Sequence, residues 1–196
     1  MSVLQIIVQC ATLLTLVVLV VQLFYMIKQY KNDHERSRRE TVINLQKLWI
    51  ETLNDKKTGQ SRLFINCMSP DVCRDFWAEK EIEVANTPKN KQILSYVCEC
   101  NESDFKTSDG LIKIEGTNLV TFRSHLIKYL NLLEIIFTAW NDNVGDQKMI
   151  EKEFGRNITS NNMDSILQAT SYFPSIKSYI KKQAERDKNL EGKEKL

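Results

Sequence analysis

Charged residues are missing from the first part of the chain. The 196 residues include 27 Lys or Arg and 25 Asp or Glu, yet none of these lies within Met1–Ile27. A bilayer core about 30 Å thick needs roughly 20 helical residues to cross it, and this run is longer. A helix also satisfies its own backbone hydrogen bonds in hydrocarbon. The uncharged run therefore predicts a transmembrane helix over residues 1–27.

The features of a cleaved secretory signal are also missing. No Lys or Arg precedes the apolar run, the run is too long for a signal, and no small-x-small cleavage site follows it. Tyr25, Lys28, Tyr30 and Lys31 follow instead, and such aromatic and basic side chains suit the membrane interface. Because basic residues collect on the cytoplasmic side, we expect a single-pass protein of the cell membrane with its C-terminal domain in the cytoplasm.

Glycine and proline are scarce, with six and three residues. This scarcity disfavours a turn-rich all-β fold and indicates an all-α chain, whose N-terminal transmembrane helix continues into a cytoplasmic helical bundle. The polar stretch between Cys100 and Gly116 is expected to be a loop. The expected parts are the transmembrane helix over 1–27, a juxtamembrane and first domain helix over 28–58, a helical domain over 59–182 and a charged flexible tail over 183–196.

Local signals predict where individual helices begin and end. Ser69 and Thr87 each precede a proline, and a capping hydroxyl before a proline at the first helical position marks a helix start. Pro174 begins the last helix, and Gly59 is expected to end the first domain helix. The central helix carries a wide apolar stripe at three- and four-residue spacing, which predicts burial on more than one side. Its members are Leu119, Phe122, Leu126, Tyr129, Leu130, Leu133, Ile136, Phe137 and Trp140.

Motifs for catalysis, cofactors and nucleic acid are absent from the sequence. The net charge of +2 provides no global basic field, so we predict no nucleic-acid partner. The two histidines form no H-E-x-x-H or Ser-His-Asp pattern, and there is no phosphate-binding glycine loop. Of the five cysteines, Cys10 lies in the predicted span and four lie in the domain. On the cytoplasmic side they are expected to be reduced and to act as small apolar side chains. Zinc binding is the alternative, but the C-x2-C knuckles are missing, so we predict no cofactor and no metal.

Four polar residues stand within apolar surroundings. Gln5, Gln9 and Gln22 lie in the predicted span, where they are candidate oligomer contacts. The alternative is that the bilayer tolerates them near its interface. Glu134 lies inside the apolar central helix, where a partly buried carboxylate needs a positive partner or hydrogen-bond donors.

We expect Glu134 to form a structural ion pair that ties two helices together. The candidate partners are Arg36, Arg38, Arg39 and Arg123. The alternative is a role for Glu134 as a general base or a metal ligand. One carboxylate without a histidine, a cysteine or a second acid at fixed spacing is not an active site, so we predict no catalytic residue.

The segment 129–136, followed by the short acidic turn 142–146 and a further helix, resembles the DUF4760 domain family of uncharacterised bacterial membrane proteins. The resemblance rests on an asparagine, two apolar residues and a glutamate, which here are Asn131, Leu132, Leu133 and Glu134. It implies one N-terminal span, a basic juxtamembrane stretch and a place in the bacterial inner membrane. It implies no known activity, although some small proteins of this kind are encoded by prophages or near phage-defence genes.

These observations favour a membrane-anchored helical interaction protein without enzymatic activity. Its expected partners are the lipid bilayer, further copies of itself through the span and an unknown protein, and its role would be sensing, scaffolding or phage exclusion. The alternative is an oligomerising effector of a phage-defence system that disrupts the membrane through the span with its three glutamines. A third hypothesis is an enzyme that uses Glu134 in a helical pocket.

Overall fold

One helix joins the apolar leader to the domain without a break. The computed structural model describes residues 3–158 and 161–193, with side chains for 12–158 and 163–188. Helix α1 spans Val3–Asn54, and its 52 residues make it roughly 78 Å long. No glycine or proline interrupts this segment, so no residue in it breaks the helical hydrogen bonds. The prediction that the apolar run and the first domain helix are one rod is confirmed.

Helix α1 ends at a capping aspartate rather than at a glycine. Asp55 is the N-cap of helix α2, Lys56–Phe64, and its side chain accepts a hydrogen bond of 3.2 Å from the backbone N–H of Lys57. Gly59 lies inside α2, so the prediction that it ends the first domain helix is wrong. The capping carboxylate starts a new helix at once, because it satisfies an N–H group that a continuing α1 would have used.

Two helices begin where the cap-and-proline signal predicts. Helix α3 spans Pro70–Trp77, and the Ser69 hydroxyl accepts a hydrogen bond of 3.3 Å from the N–H of Val72. Helix α4 spans Pro88–Cys98, and the Thr87 hydroxyl accepts one of 3.1 Å from the N–H of Asn90. Both starts are confirmed because serine and threonine caps satisfy N–H groups that the first turn leaves open.

A small antiparallel sheet corrects the all-α prediction. Strands β1, Ile82–Ala85, β2, Lys106–Ser108, and β3, Leu111–Ile114, pair in the order β1-β3-β2. The fold is mostly helical as predicted, with 78% helix and 6% strand. The segment expected to be a loop instead contains the β2–β3 hairpin. Its two-residue turn holds Asp109 at φ 50° and Gly110 at φ 76°, a conformation that an Asp-Gly pair adopts readily.

Alternation of side chains explains why the sheet forms. Ile82 and Val84 of β1 pair with Ile114 and Ile112 of β3, and all four side chains are buried. Successive strand residues point to opposite faces, so the polar residues between these four point away from the core. The sheet therefore contributes one apolar face to the same core as the helices.

Helix α5, Gly116–Asn141, runs through the centre of the domain. Every member of its predicted apolar stripe is buried, which confirms the predicted burial of this helix. Helices α6, Gln147–Phe154, α7, Asn161–Gln168, and α8, Pro174–Lys193, complete the domain. Three short 3-10 turns link the elements at Ile65–Cys67, Glu102–Asp104 and Gly155–Asn157.

Helix α8 packs along α5 and continues into the charged C-terminal segment. Ile176 and Tyr179 are buried, and the Tyr179 ring lies 4.3 Å from Phe137 and 5.0 Å from Trp140 between ring centres. The helix extends to Lys193, so most of the predicted flexible tail 183–196 is helical in the structure. The apolar side of α8 therefore faces the core.

Candidate functional site

The first candidate site is the uncovered half of α1. Every residue from Leu13 to Ile27, except Thr15 and Gln22, is a large apolar residue with an exposed side chain. None of the apolar window of this helix is buried against the domain. Exposed fractions reach 67% at Leu14 and Phe24. The chain thus has one N-terminal helix that is long and apolar enough to span a membrane.

The predicted interface residues follow this uncovered segment on the same helix. Tyr25 and Tyr30 are exposed by 65% and 76%, and Lys28 and Lys31 are also exposed. Ten consecutive residues, 28–37, are exposed and separate the apolar part of α1 from the domain by roughly 15 Å. We name this segment the stalk. Tyr25 lies just before the stalk, and Lys28, Tyr30 and Lys31 lie at its start. Their role at the membrane interface stays a prediction.

The three glutamines of the predicted span are only partly described. Gln22 is exposed, and it makes no side-chain hydrogen bond within the described part of the chain. The side chains of Gln5 and Gln9 lie outside the described residues, although their backbone belongs to α1. Of the three predicted oligomer contacts, Gln22 is therefore the one whose side chain the structure describes.

The domain begins at Arg38, which holds a loop against α1. Its guanidinium donates to the Asn143 side-chain oxygen at 2.6 Å and to the Gly145 carbonyl at 3.2 Å. The N–H of Asp146 donates to the Arg38 carbonyl at 3.3 Å. Arg38 thus binds the turn that precedes α6, and not Glu134 as the sequence suggested.

Glu134 is the N-terminal cap of another helix, so the predicted ion pair is wrong. Its two carboxylate oxygens accept hydrogen bonds from the N–H groups of Ser175 and Ile176 at 2.8 and 3.1 Å. None of the described ion pairs includes Glu134. The first N–H groups of a helix have no partner within it and carry partial positive charge, so α8 offers the donors that we expected from arginine. Both oxygens are engaged, which leaves Glu134 poorly suited to act as a general base.

The remaining arginine candidates also bind elsewhere. Arg123 donates to the Phe76 carbonyl, pairs with Glu79 at 3.1 Å and lies 5.1 Å from the Phe76 ring centre. Arg36 pairs with Glu40 on the exposed stalk side of α1 at 3.0 Å. Arg39 is exposed beside the Arg38 loop. Of these three arginines, Arg123 joins two distant segments of the domain, whereas Arg36 and Arg39 lie on the exposed surface of α1.

A polar cluster at the α1–α2 junction was not predicted from the sequence. The Asp55 carboxylate lies 3.1 Å from the Lys128 amine, 3.4 Å from His125 Nδ1 and 2.9 Å from the Thr58 hydroxyl. Burial alone raises the pKa of Asp55, but Thr58, Lys128 and His125 outweigh it and lower that pKa to about 2. Asp55 thus stays ionised, caps α2 and ties it to α5. Only the capping tendency of aspartate was available as a signal, since the partners come from a distant helix.

The cluster does not form a nucleophile and base arrangement. His125 Nδ1 lies 3.2 Å from the Thr58 hydroxyl, but the Thr58 residue is fully buried. Its hydroxyl donates to Asp55, and the buried residue offers no exposed surface through which a substrate could reach this oxygen. A nucleophile must reach the reacting atom, and the geometry therefore favours a structural junction.

The domain cysteines are poor nucleophiles where they are buried. Burial raises the pKa of the Cys73 thiol to about 11, and burial with the neighbouring Cys100 raises that of Cys98 to about 12. Cys98 also lies 3.4 Å from the Asn118 carbonyl as a hydrogen-bond donor. Both thiols remain protonated at neutral pH, which agrees with their interpretation as small packing side chains.

Fold and site together define a class: a mostly helical protein with one N-terminal helix suited to crossing a membrane and a domain packed around its far end. Comparison of the chain with protein-family models, curated proteins and solved structures finds no match in any of the three. The resemblance to the DUF4760 domain family stays a prediction. Function is therefore argued from the geometry of the chain.

Proposed function

We propose that this chain is a single-pass protein of the bacterial inner membrane whose cytoplasmic domain acts by binding other proteins. One observation carries the proposal. The same unbroken helix leaves its apolar residues 13–27 uncovered and supplies Val42 and Leu45 to the domain core. Roles in sensing, scaffolding or phage exclusion are consistent with a domain fixed to a membrane by a continuous helix.

The uncovered apolar side chains of α1 are unfavourable in water. Moving one large apolar side chain out of water stabilises a protein by roughly 1.5–3 kcal/mol. Soluble monomers rarely expose an apolar patch larger than a few hundred Å². A segment with thirteen such exposed side chains between Leu13 and Ile27 therefore supports a lipid environment.

The continuous rod also supports an interaction role. Within the described residues, the side-chain hydrogen bond of the stalk joins Arg36 to Glu40 of the same helix. The Arg38 contacts then fix the domain at the end of the stalk. A straight helix transmits tilt or rotation from the membrane to the domain, whereas a flexible linker would not. Glu134 is engaged by the N-terminus of α8, so the geometry favours binding over catalysis.

Membrane retention is tested with the full chain and two variants. Carbonate washing of membranes should leave the native chain in the pellet. The double variant Leu16→Arg and Val20→Arg should move to the soluble fraction, because each arginine at mid-span costs roughly 2.5–3.5 kcal/mol. Val120→Arg changes a domain residue that is 67% exposed, and it should stay in the pellet. Recovery of the native chain as a soluble protein would reject the proposal.

Orientation is tested with reporters fused to the C-terminus. We expect a cytoplasmic fluorescent reporter to be bright and a phosphatase that works only in the periplasm to be inactive. Replacement of both Lys28 and Lys31 by Glu should lower this preference, because basic flanking residues set it. An active phosphatase on the native chain would contradict a cytoplasmic domain.

A further inference from the structure

Three polar residues of α1 and two exposed isoleucines share one register. Gln22, Gln29, Arg36, Ile43 and Ile50 follow one another at intervals of seven residues. A second row, offset by three or four residues, also repeats every seven. It contains Thr12, Leu19, Met26, Asp33, Glu40 and Lys47. Two such rows lie side by side on one face of the helix, and we name this face the α1 seam.

The domain leaves the α1 seam free and packs on the opposite side of the helix. Ile43 and Ile50 are 45% and 58% exposed. Val42 and Leu45 are buried in the core, and Trp49 packs against Tyr129 and Phe154. In a seven-residue repeat, positions 42, 45 and 49 lie away from the two seam rows. A second helix can therefore lie along the seam without displacing the domain.

The seam carries groups that suit a second copy of the same helix. Gln22 has no side-chain hydrogen bond within the described residues, and an amide in an apolar span gains from a partner. An amide has both donors and an acceptor, so two copies of Gln22 satisfy each other. Thr15 precedes Gln22 by seven residues and lies in the same row.

Charges along the stalk alternate in sign on this face. Asp33, Arg36 and Glu40 alternate in sign along the seam, and Arg36 pairs with Glu40 at 3.0 Å within one chain. Copies inserted in the same membrane point the same way. In a parallel pair in register, the two Arg36 side chains face each other. The Asp33 and Glu40 carboxylates of both copies lie one turn before and one turn after them and offset this repulsion.

We propose that α1 forms a parallel homodimer through the α1 seam, from the membrane segment into the domain. This inference rests on the proposed membrane anchor and adds the partner and its contact surface. The dimer places the two domains side by side, with their cores on the outer sides of the paired helices. It assigns Ile43 and Ile50 as the apolar contact outside the bilayer and Gln22 as the polar contact inside it.

Cysteine crosslinking of the full chain in native membranes tests the face. Gln29→Cys and Ile43→Cys lie on the seam. His34→Cys lies between them in sequence, on the opposite side of the stalk, and is also exposed. We expect the seam variants to form disulfide-linked dimers about tenfold more than His34→Cys, because a disulfide needs Cα atoms within about 7 Å. The native chain with its five cysteines gives the background.

A second measurement keeps the proposal testable if one variant folds poorly. Gln22→Leu should lower the dimer fraction of the membrane-reconstituted chain severalfold, whereas the neighbouring Leu23→Ala should not. Equal crosslinking at Gln29, His34 and Ile43, or none at any of them, would overturn the seam. Membrane retention of the same variants is read separately, so a retained chain without face-specific crosslinks rejects the dimer and leaves the anchor standing.

Discussion

Helices α1 and α5 are the two longest in the chain, and they use their apolar residues in opposite ways. α5 has eleven buried residues within Gly116–Asn141. Among its described side chains, α1 exposes every one from Leu13 to Ile27, and its buried residues lie near its C-terminal end. The difference shows that a helix rich in apolar residues does not have to belong to the core of the domain. What separates the two helices is whether the rest of the chain covers them.

The largest expected effect compares the same substitution in both helices. Leu130→Ala removes a fully buried side chain of α5 and should lower the free energy of unfolding of the domain by about 2–5 kcal/mol. Leu14→Ala, at a position 67% exposed, should change it by less than about 0.5 kcal/mol. Urea unfolding of the detergent-solubilised chain, followed by tryptophan fluorescence, measures both. Similar losses of unfolding free energy in the two variants would contradict the difference in burial between α5 and α1.

The next effect concerns Glu134, the α5 residue whose carboxylate caps the N-terminus of α8. Glu134→Ala leaves the N–H groups of Ser175 and Ile176 without their acceptors and should cost about 1–3 kcal/mol. Glu134→Gln keeps one oxygen acceptor and should cost less. Glu153→Ala, an exposed carboxylate on α6, is the control in the same urea titration. If Glu134→Ala unfolds at the same urea concentration as the control, the capping role of Glu134 is contradicted.

A smaller effect lies at the end of α1 and depends on pH. The pKa of Asp55 is about 2 in the folded chain and 3.8 without its partners. Because the folded pKa is the lower one, its contribution is complete above about pH 4 and is lost as pH falls towards 2. Asp55→Asn should remove this part of the acid destabilisation, measured by thermal unfolding between pH 2 and pH 6. If the stability of Asp55→Asn depends on pH in the same way as that of the native chain, the lowered pKa of Asp55 is contradicted.

The smallest effect is expected where α1 meets the domain. Arg38→Ala removes the hydrogen bonds to Asn143 and Gly145 and should cost about 0.5–1.5 kcal/mol. Protease cleavage within residues 142–146 should become faster, because this turn loses its attachment to α1. Arg39→Ala changes an exposed neighbour and should leave cleavage unchanged. Equal cleavage rates in both variants would show that the turn is ordered without its hydrogen bonds to Arg38.

Local signals in the sequence predicted much of the helical frame. The caps at Ser69 and Thr87 and the apolar stripe of α5 are confirmed, because hydroxyl caps and three- to four-residue spacing act over a few residues. The hairpin was missed although Asp109 and Gly110 precede an alternating apolar strand. That signal is only a few residues long, and the polar surroundings favoured a loop.

The polar contacts were the least predictable part of the candidate site. Glu134 was singled out correctly as a carboxylate that needs donors, but its donors are backbone N–H groups of α8. Asp55 was not singled out, because Thr58, His125 and Lys128 surround it only after α2 and α5 pack together. The residue type shows that a polar group needs a hydrogen-bond or ionic partner. Which residue becomes that partner depends on how the helices pack.

The sequence by itself determined the long uncharged helix, the basic residues after it and the stripe that becomes the core. These depend on spacing along one helix and on the solvation of each side chain, which are properties of short segments. Only the tertiary structure decided that α8 uses Glu134, that Arg38 holds the turn before α6 and that one face of α1 stays uncovered. Contacts between distant segments depend on how helices pack, and no short pattern records that packing.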